Sequence, residues 1–439
     1  MVPLNDINFE KTNGGMGRTA ASEDPISGLC LVLPEMANED FLHIYNKSQF
    51  DVIGENLYAA KIRYPEQLAD YGFVERSMLP EDVINVSSVE EYEKRAAVNT
   101  ICYHVSEFFR MSPKGTLYLY ISNMQLAFSG DELKALADYA NGSIRRLGIL
   151  AKDMSGSIFT PLQLTALELE REHKPLSLMV TTSGNLVSFT KSDALGGYEY
   201  TPTITPIHDM TTQHFASVTN KFEGGCNISY LISCDLDPEL IQSLGQYAYC
   251  GCMGACLGAM SKAAVNECIA WVQKFPLSLK EPGFVSGELL SSVSRQVLDL
   301  INENRYIFVL RHVGDDNNYF NDSHTLDLET SDYAYIENVQ TIDKACREIR
   351  KNLLPYLNSP LLIDANSGKA DPSIVAFLET IAGRALEDME KAGELSGYSV
   401  TIDPDQNVLA TSELEVVIKQ VARGVIRRMR IKIGYTTKL

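Results

Sequence analysis

Leu117-Tyr118-Leu119-Tyr120-Ile121 is an unbroken apolar run of strand length, and Ser129-Gly130-Asp131-Glu132-Leu133 beyond it carries the capping residue and acidic first turn that open a helix. Further along, Arg146-Leu-Gly-Ile-Leu-Ala151, Leu176-Ser-Leu-Met-Val180 and Ile228-Ser-Tyr-Leu-Ile-Ser233 repeat the short apolar pattern, with helical spacing between the first three. Strands alternating with helices over about 98–275 predict a layered α/β unit. The stretch 190–227 is polar and rich in Gly and Thr, and reads as an excursion or small insertion.

Towards the C-terminus the pattern changes. Ile342, Ala345, Cys346, Ile349, Leu353, Leu354 and Leu357 recur at helical spacing, with Pro360 after them. A second helix is predicted with Asp371 as N-cap, Pro372 in its first turn, Ile374, Phe377, Leu378, Ile381, Ala385 and Met389 on its apolar face, and Gly393 as its stop. Three strands should follow and pack on both helices: Tyr398 to Ile402, Leu414 to Val421, and Val425 to Tyr435. The fold class is therefore an α/β core followed by a C-terminal α+β domain. At the other end, residues 1–25 are extended in character, with Ile7 and Phe9 alternating with Asn8 and Glu10 before Asn13-Gly14-Gly15. Such an arm cannot bury itself. The expected division is an arm over 1–25, a body over 26–300 and a C-terminal domain over 301–439, with the linker near 275–300 marked only by Pro276, Pro282 and Gly283.

A chain of 439 residues suggests two or three domains at about 100–200 residues each. A formal charge of −19 argues against a general nucleic-acid binder, which needs clustered Lys and Arg to neutralise phosphates. No stretch approaches the roughly 18 apolar residues of a membrane span, and Met1-Val2-Pro3-Leu4 is not a secretory leader, so synthesis in the cytoplasm is expected. Nine cysteines cannot all pair, and Cys30, Cys102, Cys226 and Cys346 lie in apolar stretches that suit reduced, buried thiols.

The search for chemistry returns little. Cys250, Cys252 and Cys256 form the one dense cysteine cluster, but their spacing is not that of paired zinc knuckles. Gly251, Gly254, Ala255, Gly258 and Ala259 around them describe instead a small-residue helix face that admits another backbone. There is no phosphate loop around Gly368-Lys369, no H-E-x-x-H and no G-x-S-x-G. His104 and Glu107 share a helix face and read as a solvated or capped pair. Asp315, Asp316, Asp322, Asp327, Glu329 and Asp332 do not follow a calcium-loop pattern and read as a solvated connection. No catalytic, cofactor-binding or metal-binding residues are assigned. A cytosolic thiol or metal enzyme using Cys250, Cys252 and Cys256 is kept as the alternative to a purely structural role.

One feature stands above this background. From Val417 to Leu439 lie Lys419, Arg423, Arg427, Arg428, Arg430, Lys432 and Lys438, with no acid, in a strongly acidic chain. Side chains alternate across a strand, so Met429, Ile431, Ile433 and Tyr435 take one face while Arg428, Arg430 and Lys432 take the other. The apolar face should meet a core. The basic face either protects an edge or meets an acidic partner.

An extended arm, an α/β body and a C-terminal α+β domain ending in a strand together resemble the contractile phage tail sheath family. Leu4-Asn-Asp-Ile-Asn8, Gly14-Gly15-Met-Gly-Arg-Thr-Ala-Ala21, Gly397-Tyr-Ser-Val-Thr-Ile-Asp-Pro404, Asn407-Val-Leu409 and Ile431-Lys-Ile-Gly-Tyr-Thr436 carry the resemblance. Asn321 to Thr325, Ser331 to Ile336, Thr341 to Ala345 and Gly254 to Asn266 support it. The resemblance implies a subunit of hexameric rings stacked helically around an inner tail tube, in contact with baseplate and tail terminator proteins, without nucleic acid, membrane or cofactor. It implies inter-subunit strand exchange through Leu4, Ile7, Phe9, Met429, Ile431 and Ile433, with Arg428, Arg430 and Lys432 as a basic face towards the tube or a neighbouring subunit. It also implies assembly into a tail particle in a bacterial host.

Overall fold

The computed structural model describes residues 24–34, 50–54, 57–75, 89–122, 130–152, 159–183, 187–191, 198–202, 204, 206, 207, 209, 226–364 and 368–436. The N-terminal arm with Leu4, Ile7 and Phe9, and most of the 190–227 excursion, lie outside them.

The body is built on a seven-stranded sheet in the order β2-β3-β4-β1-β5-β6-β9. Its strands are β1 (Ile26–Val32), β2 (Asp51–Gly54), β3 (Leu57–Ile62), β4 (Thr116–Ser122), β5 (Arg146–Ala151), β6 (Ser177–Thr182) and β9 (Ile228–Tyr230); β7 (Val187–Lys191) and β8 (Tyr198–Pro202) form a separate hairpin. The strands from β4 to β9 run parallel, and β2 and β3 add antiparallel at one edge. Central parallel strands are covered on both faces, which is why they read as continuous apolar runs. In β1, Leu29 and Leu31 enter one core while Cys30 and Val32 enter the other.

Helices α1 (Val89–Met111), α2 (Gly130–Tyr139), α3 (Phe159–Arg171), α4 (Pro238–Leu244), α5 (Met253–Lys262) and α6 (Arg295–Glu303) surround this sheet. The first core is filled by Ala97, Ile101, Val105 and Phe108 of α1 and by Met253, Cys256, Leu257 and Met260 of α5. The second is filled by Leu133 and Leu136 of α2 and by Phe159, Leu162, Ala166 and Leu169 of α3. Gly254 and Gly258 set the depth of the α1–α5 contact. A Cβ on Gly254 would collide with the His104 carbonyl, and one on Gly258 would lie 2.7 Å from the Phe108 carbonyl oxygen. The small-residue reading of this helix therefore describes a real close approach of two backbones.

Several expectations change. The segment predicted as one strand over 228–233 is split into β9 and β10 (Ser233–Asp235), and β10 pairs antiparallel with β11 (Pro282–Phe284). The expected linker at 275–300 is thus packed structure, with Phe275, Leu277, Leu279 and Phe284 buried. The acidic connection contains β12 (Val309–Arg311) and β13 (Asn318–Phe320), and Asp327 is buried within it, accepting from Ser331 Oγ at 2.6 Å. His104 is buried and accepts the Gly254 N–H at 3.3 Å, while Glu107 pairs with Arg110, so the two do not act together. Eight cysteines are buried, but Cys346 is exposed.

Beyond the body lie α7 (Ile336–Leu353) and α8 (Pro372–Lys391), and then β14 (Leu395–Thr401) paired antiparallel with β15 (Val417–Ala422). Asp371 caps α8 by accepting the Ser373 N–H at 2.8 Å, and Gly393, at φ 78°, ends the turn after it. Ala345, Leu386, Met389 and Leu395 form one small core between helices and sheet, and Ala370, Val375, Leu378 and Ile402 form another. The third strand expected at 425–435 is absent: among the described residues 423–436 form no strand, and the sheet has two members. No helix among the described residues is long and apolar enough to cross a membrane.

Because Gly254 faces backbone rather than a movable side chain, Gly254→Ala should lower the free energy of urea unfolding by about 1–3 kcal/mol. Gly434→Ala, where a Cβ meets nothing within 4 Å, should leave it unchanged.

Candidate assembly surface

The β14–β15 sheet and the chain that leaves it define the surface with the most unsatisfied structure. An isolated two-stranded sheet is marginal in water, and each outer edge presents a row of N–H and C=O groups suited to a further strand. Tyr398, Val400 and Ile418 turn inward onto the helices. Val417 and Val421 remain exposed on the outer face.

Downstream, Met429, Ile431, Ile433 and Tyr435 are 76, 82, 96 and 111 % exposed. The predicted apolar face thus has no core beneath it within the chain. Arg428, Arg430 and Lys432 are exposed as well. The alternation belongs to the sequence: the segment forms no strand, and both sets of side chains stand in solvent.

Two polar clusters tie the chain ends to the fold, and neither was singled out from sequence. At the N-terminal side, Asp24 accepts from Lys344 Nζ at 2.7 Å, and the same ammonium donates to Glu394 at 2.6 Å. Arg347 lies 3.5 Å from Asp24. Buried Arg146 donates to the backbone oxygens of Asp24, at 2.9 Å, and of Met260. Asp343 sits in the same cluster beside a small cavity lined by Arg145, Arg146, Gln340 and Arg347. Burial raises its pKa to about 7; Glu170 adds to the rise while Arg347 and Arg145 oppose it.

At the C-terminal side, Arg427 leaves the extended chain and docks on the body. Its Nε donates to both Asp322 oxygens at 2.9 and 3.0 Å, and Nη2 donates to Glu337. Sequence carried one signal for it. Arg427 has the same parity as Met429, Ile431 and Ile433, and a charge on an otherwise apolar strand face calls for a dedicated partner.

The cysteine cluster shows no comparable preparation for chemistry. Cys250, Cys252 and Cys256 are buried, and burial pushes the Cys252 and Cys256 thiols well above the ordinary range. Among the described residues no group of three or more His, Cys, Asp or Glu is placed to hold a metal ion.

The arrangement of a mostly parallel body sheet and a small C-terminal sheet on two helices is similar in fold to solved chains of contractile sheaths. Over the whole length of both chains, the structure is similar to the contracted helical sheath of the anti-feeding prophage, with a TM-score of 0.55 and 13% identity. It is similar over the same extent to a chain of the six-fold symmetrised baseplate of that particle (0.53, 16%). A sheath complex of an extracellular contractile injection system in its contracted state matches at 0.56 and 10% identity, covering 100% of this chain and 99% of that one. At these identities the likeness is one of fold. The family profile described as DUF2586, C-terminal domain, matches residues 332–439. No curated protein matches.

Two measurements probe this geometry. Asp343 has a folded-state pKa of about 7 against an ordinary 3.8, so the unfolded chain ionises first and this site's contribution to stability falls as pH rises from about 4 to 7. Asp343→Asn should therefore raise the thermal midpoint at pH 8, with the advantage vanishing near pH 4. With a thiol reagent at pH 8, Cys346 should react in the native protein, slowed because partial burial and the nearby Asp343 and Glu170 raise its pKa, and the remaining eight only after denaturation.

Proposed function

We propose that this chain is the structural subunit of a contractile tail sheath, polymerising as stacked hexameric rings around an inner tail tube and contracting to drive the tube through a target envelope. The observation that carries this reading is the solvent-exposed alternation at 428–436 beside an open-edged two-stranded sheet, in a chain whose fold matches sheath subunits along its full length. A strand with one apolar and one basic face gains hydrogen bonds and burial only by joining a sheet on another molecule. At about 1 kcal/mol per net hydrogen bond, a few bonds per arm repeated through a polymer give a cohesive mesh.

On this reading Met429, Ile431 and Ile433 enter a neighbour's small core, and Leu4, Ile7 and Phe9 act in the same way from the N-terminal arm. Arg428, Arg430 and Lys432 face the tube or an acidic neighbour. The chain divides into an arm over 1–25, a body over 26–300 with an insertion near 190–227, and an assembly domain over 301–439. Within 301–439, the segment up to the start of α7 packs with the body, Tyr306, Phe308 and Leu326 in its second core and Ile307, Val309, Phe320 and Ile336 in its first. The partners are further copies of this chain, the tube protein, and baseplate and tail terminator proteins. Synthesis is cytoplasmic in a bacterial host, the product is a tail particle, and the role is mechanical rather than enzymatic. Contraction is then a switch between two packings of the same subunit, with no cofactor needed for the stroke.

Negative-stain electron microscopy of the overexpressed chain should show hollow, ridged cylinders. Deleting 1–12 or 426–439 should leave a folded subunit, judged by circular dichroism, that no longer polymerises. Polymers of normal appearance from both deletions would overturn strand exchange.

A further inference from the structure

The receptor for Arg427 is assembled entirely from residues that precede the small sheet. Asp322 follows β13, Ser323 comes next, and Tyr335 and Glu337 sit at the start of α7. The guanidinium carbon lies 3.5 Å from the Tyr335 ring centroid, so the cation stacks on the ring face. Nη2 reaches Ser323 Oγ at 3.4 Å, and that hydroxyl itself donates to Glu337. Two carboxylates, a hydroxyl and an aromatic face match what a planar, forked cation recognises and an ammonium does not. Arg305 approaches the same ring at 5.3 Å, and Cys268 Sγ donates to Asp322 at 3.6 Å.

The receptor is also expensive to leave empty. Glu337 is 3% exposed, and burial raises its pKa while Arg427 acts against that rise. A carboxylate so placed stays ionised only with a cation on it and otherwise takes up a proton. Arg427, whose side chain is 25% exposed, closes the pocket from outside, and the chain on its C-terminal side is exposed over 428–436.

We propose that Arg427 is the positioning residue that pins the root of the C-terminal arm to the body, so that the deployable arm begins at residue 428 and not at the end of β15. This rests on reading 428–439 as an assembly arm. Pinned, the segment 428–436 reaches roughly 30 Å, and unpinned, with Arg423 still donating to the Gly393 carbonyl at 2.9 Å, 424–436 reaches roughly 45 Å, at about 3.3–3.6 Å per residue. The pin therefore limits which neighbour the arm can capture and from which direction.

The test is a distance measurement on the dilute full-length chain, carried out separately from any assembly assay. Spin labels at Val313→Cys, on the exposed tip of the β12–β13 hairpin, and at Ile426→Cys are introduced into a Cys346→Ser chain. With Arg427 present, pulsed electron paramagnetic resonance should give one narrow distance distribution. Arg427→Ala, which lies outside every strand and helix, should broaden it at least twofold, and Arg427→Lys should broaden it as well because it keeps the charge but loses the fork and the stacking. A distribution equally narrow in both variants would overturn the pin, as would a broad one in the chain that keeps Arg427. Failure of the chain to polymerise under the microscope, with the distances behaving as expected, would instead count against the assembly reading and leave the pin standing.

Discussion

The burial of β1 on both faces is the constraint on which the rest depends. Its partners β4 and β5 flank it in parallel, with Leu29 and Leu31 in one core and Cys30 and Val32 in the other. Because the strand starts at Ile26, the chain at Asp24 and Pro25 has to leave at the point where body and C-terminal helices meet. There Arg146 and Ser261 hold its backbone from the body side, and Lys344 holds its carboxylate from the other. The position of the N-terminal exit is thus a consequence of the sheet order.

The α/β body was legible because buried parallel strands and amphipathic helices leave strong periodic marks. Leu117 to Ile121, Arg146 to Ala151 and Leu176 to Val180 fall on β4, β5 and β6. What escaped was the central strand, Ile26 to Val32, which was absorbed into the body without being assigned; Gly28 and Ser27 interrupt its apolar run, and its partners are over eighty residues away. The segment 275–300 was misread for a related reason: Pro276, Pro282 and Gly283 look like linker punctuation, yet the fold uses Gly283 where a Cβ would collide with Leu236.

At the C-terminus the apolar–basic alternation predicts a strand in the chain's own sheet, and among the described residues the structure has neither that strand nor a core beneath it. Alternation determines which side chains share a face, but it does not say whose core that face enters. Met429, Ile431 and Ile433 carry the mark of a half-buried strand while standing in solvent, a mismatch between local pattern and environment that single-chain periodicity does not foresee. The clusters around Asp24 and Arg427 were illegible for another reason, since each joins residues from distant segments and only tertiary structure brings them together.

Helix α7 touches both chain exits. Glu337, in its first turn, holds Arg427, and Lys344, two turns later on the same side of the helix, holds Asp24. Seven residues of helix separate them by roughly 10 Å. The helix acts as a yoke: it fixes the spacing of the two tethers, so a rotation of one is passed to the other without any change in the helix itself. On the proposed reading, a lattice knitted through both ends would take the spacing of its two tethers from this one helix.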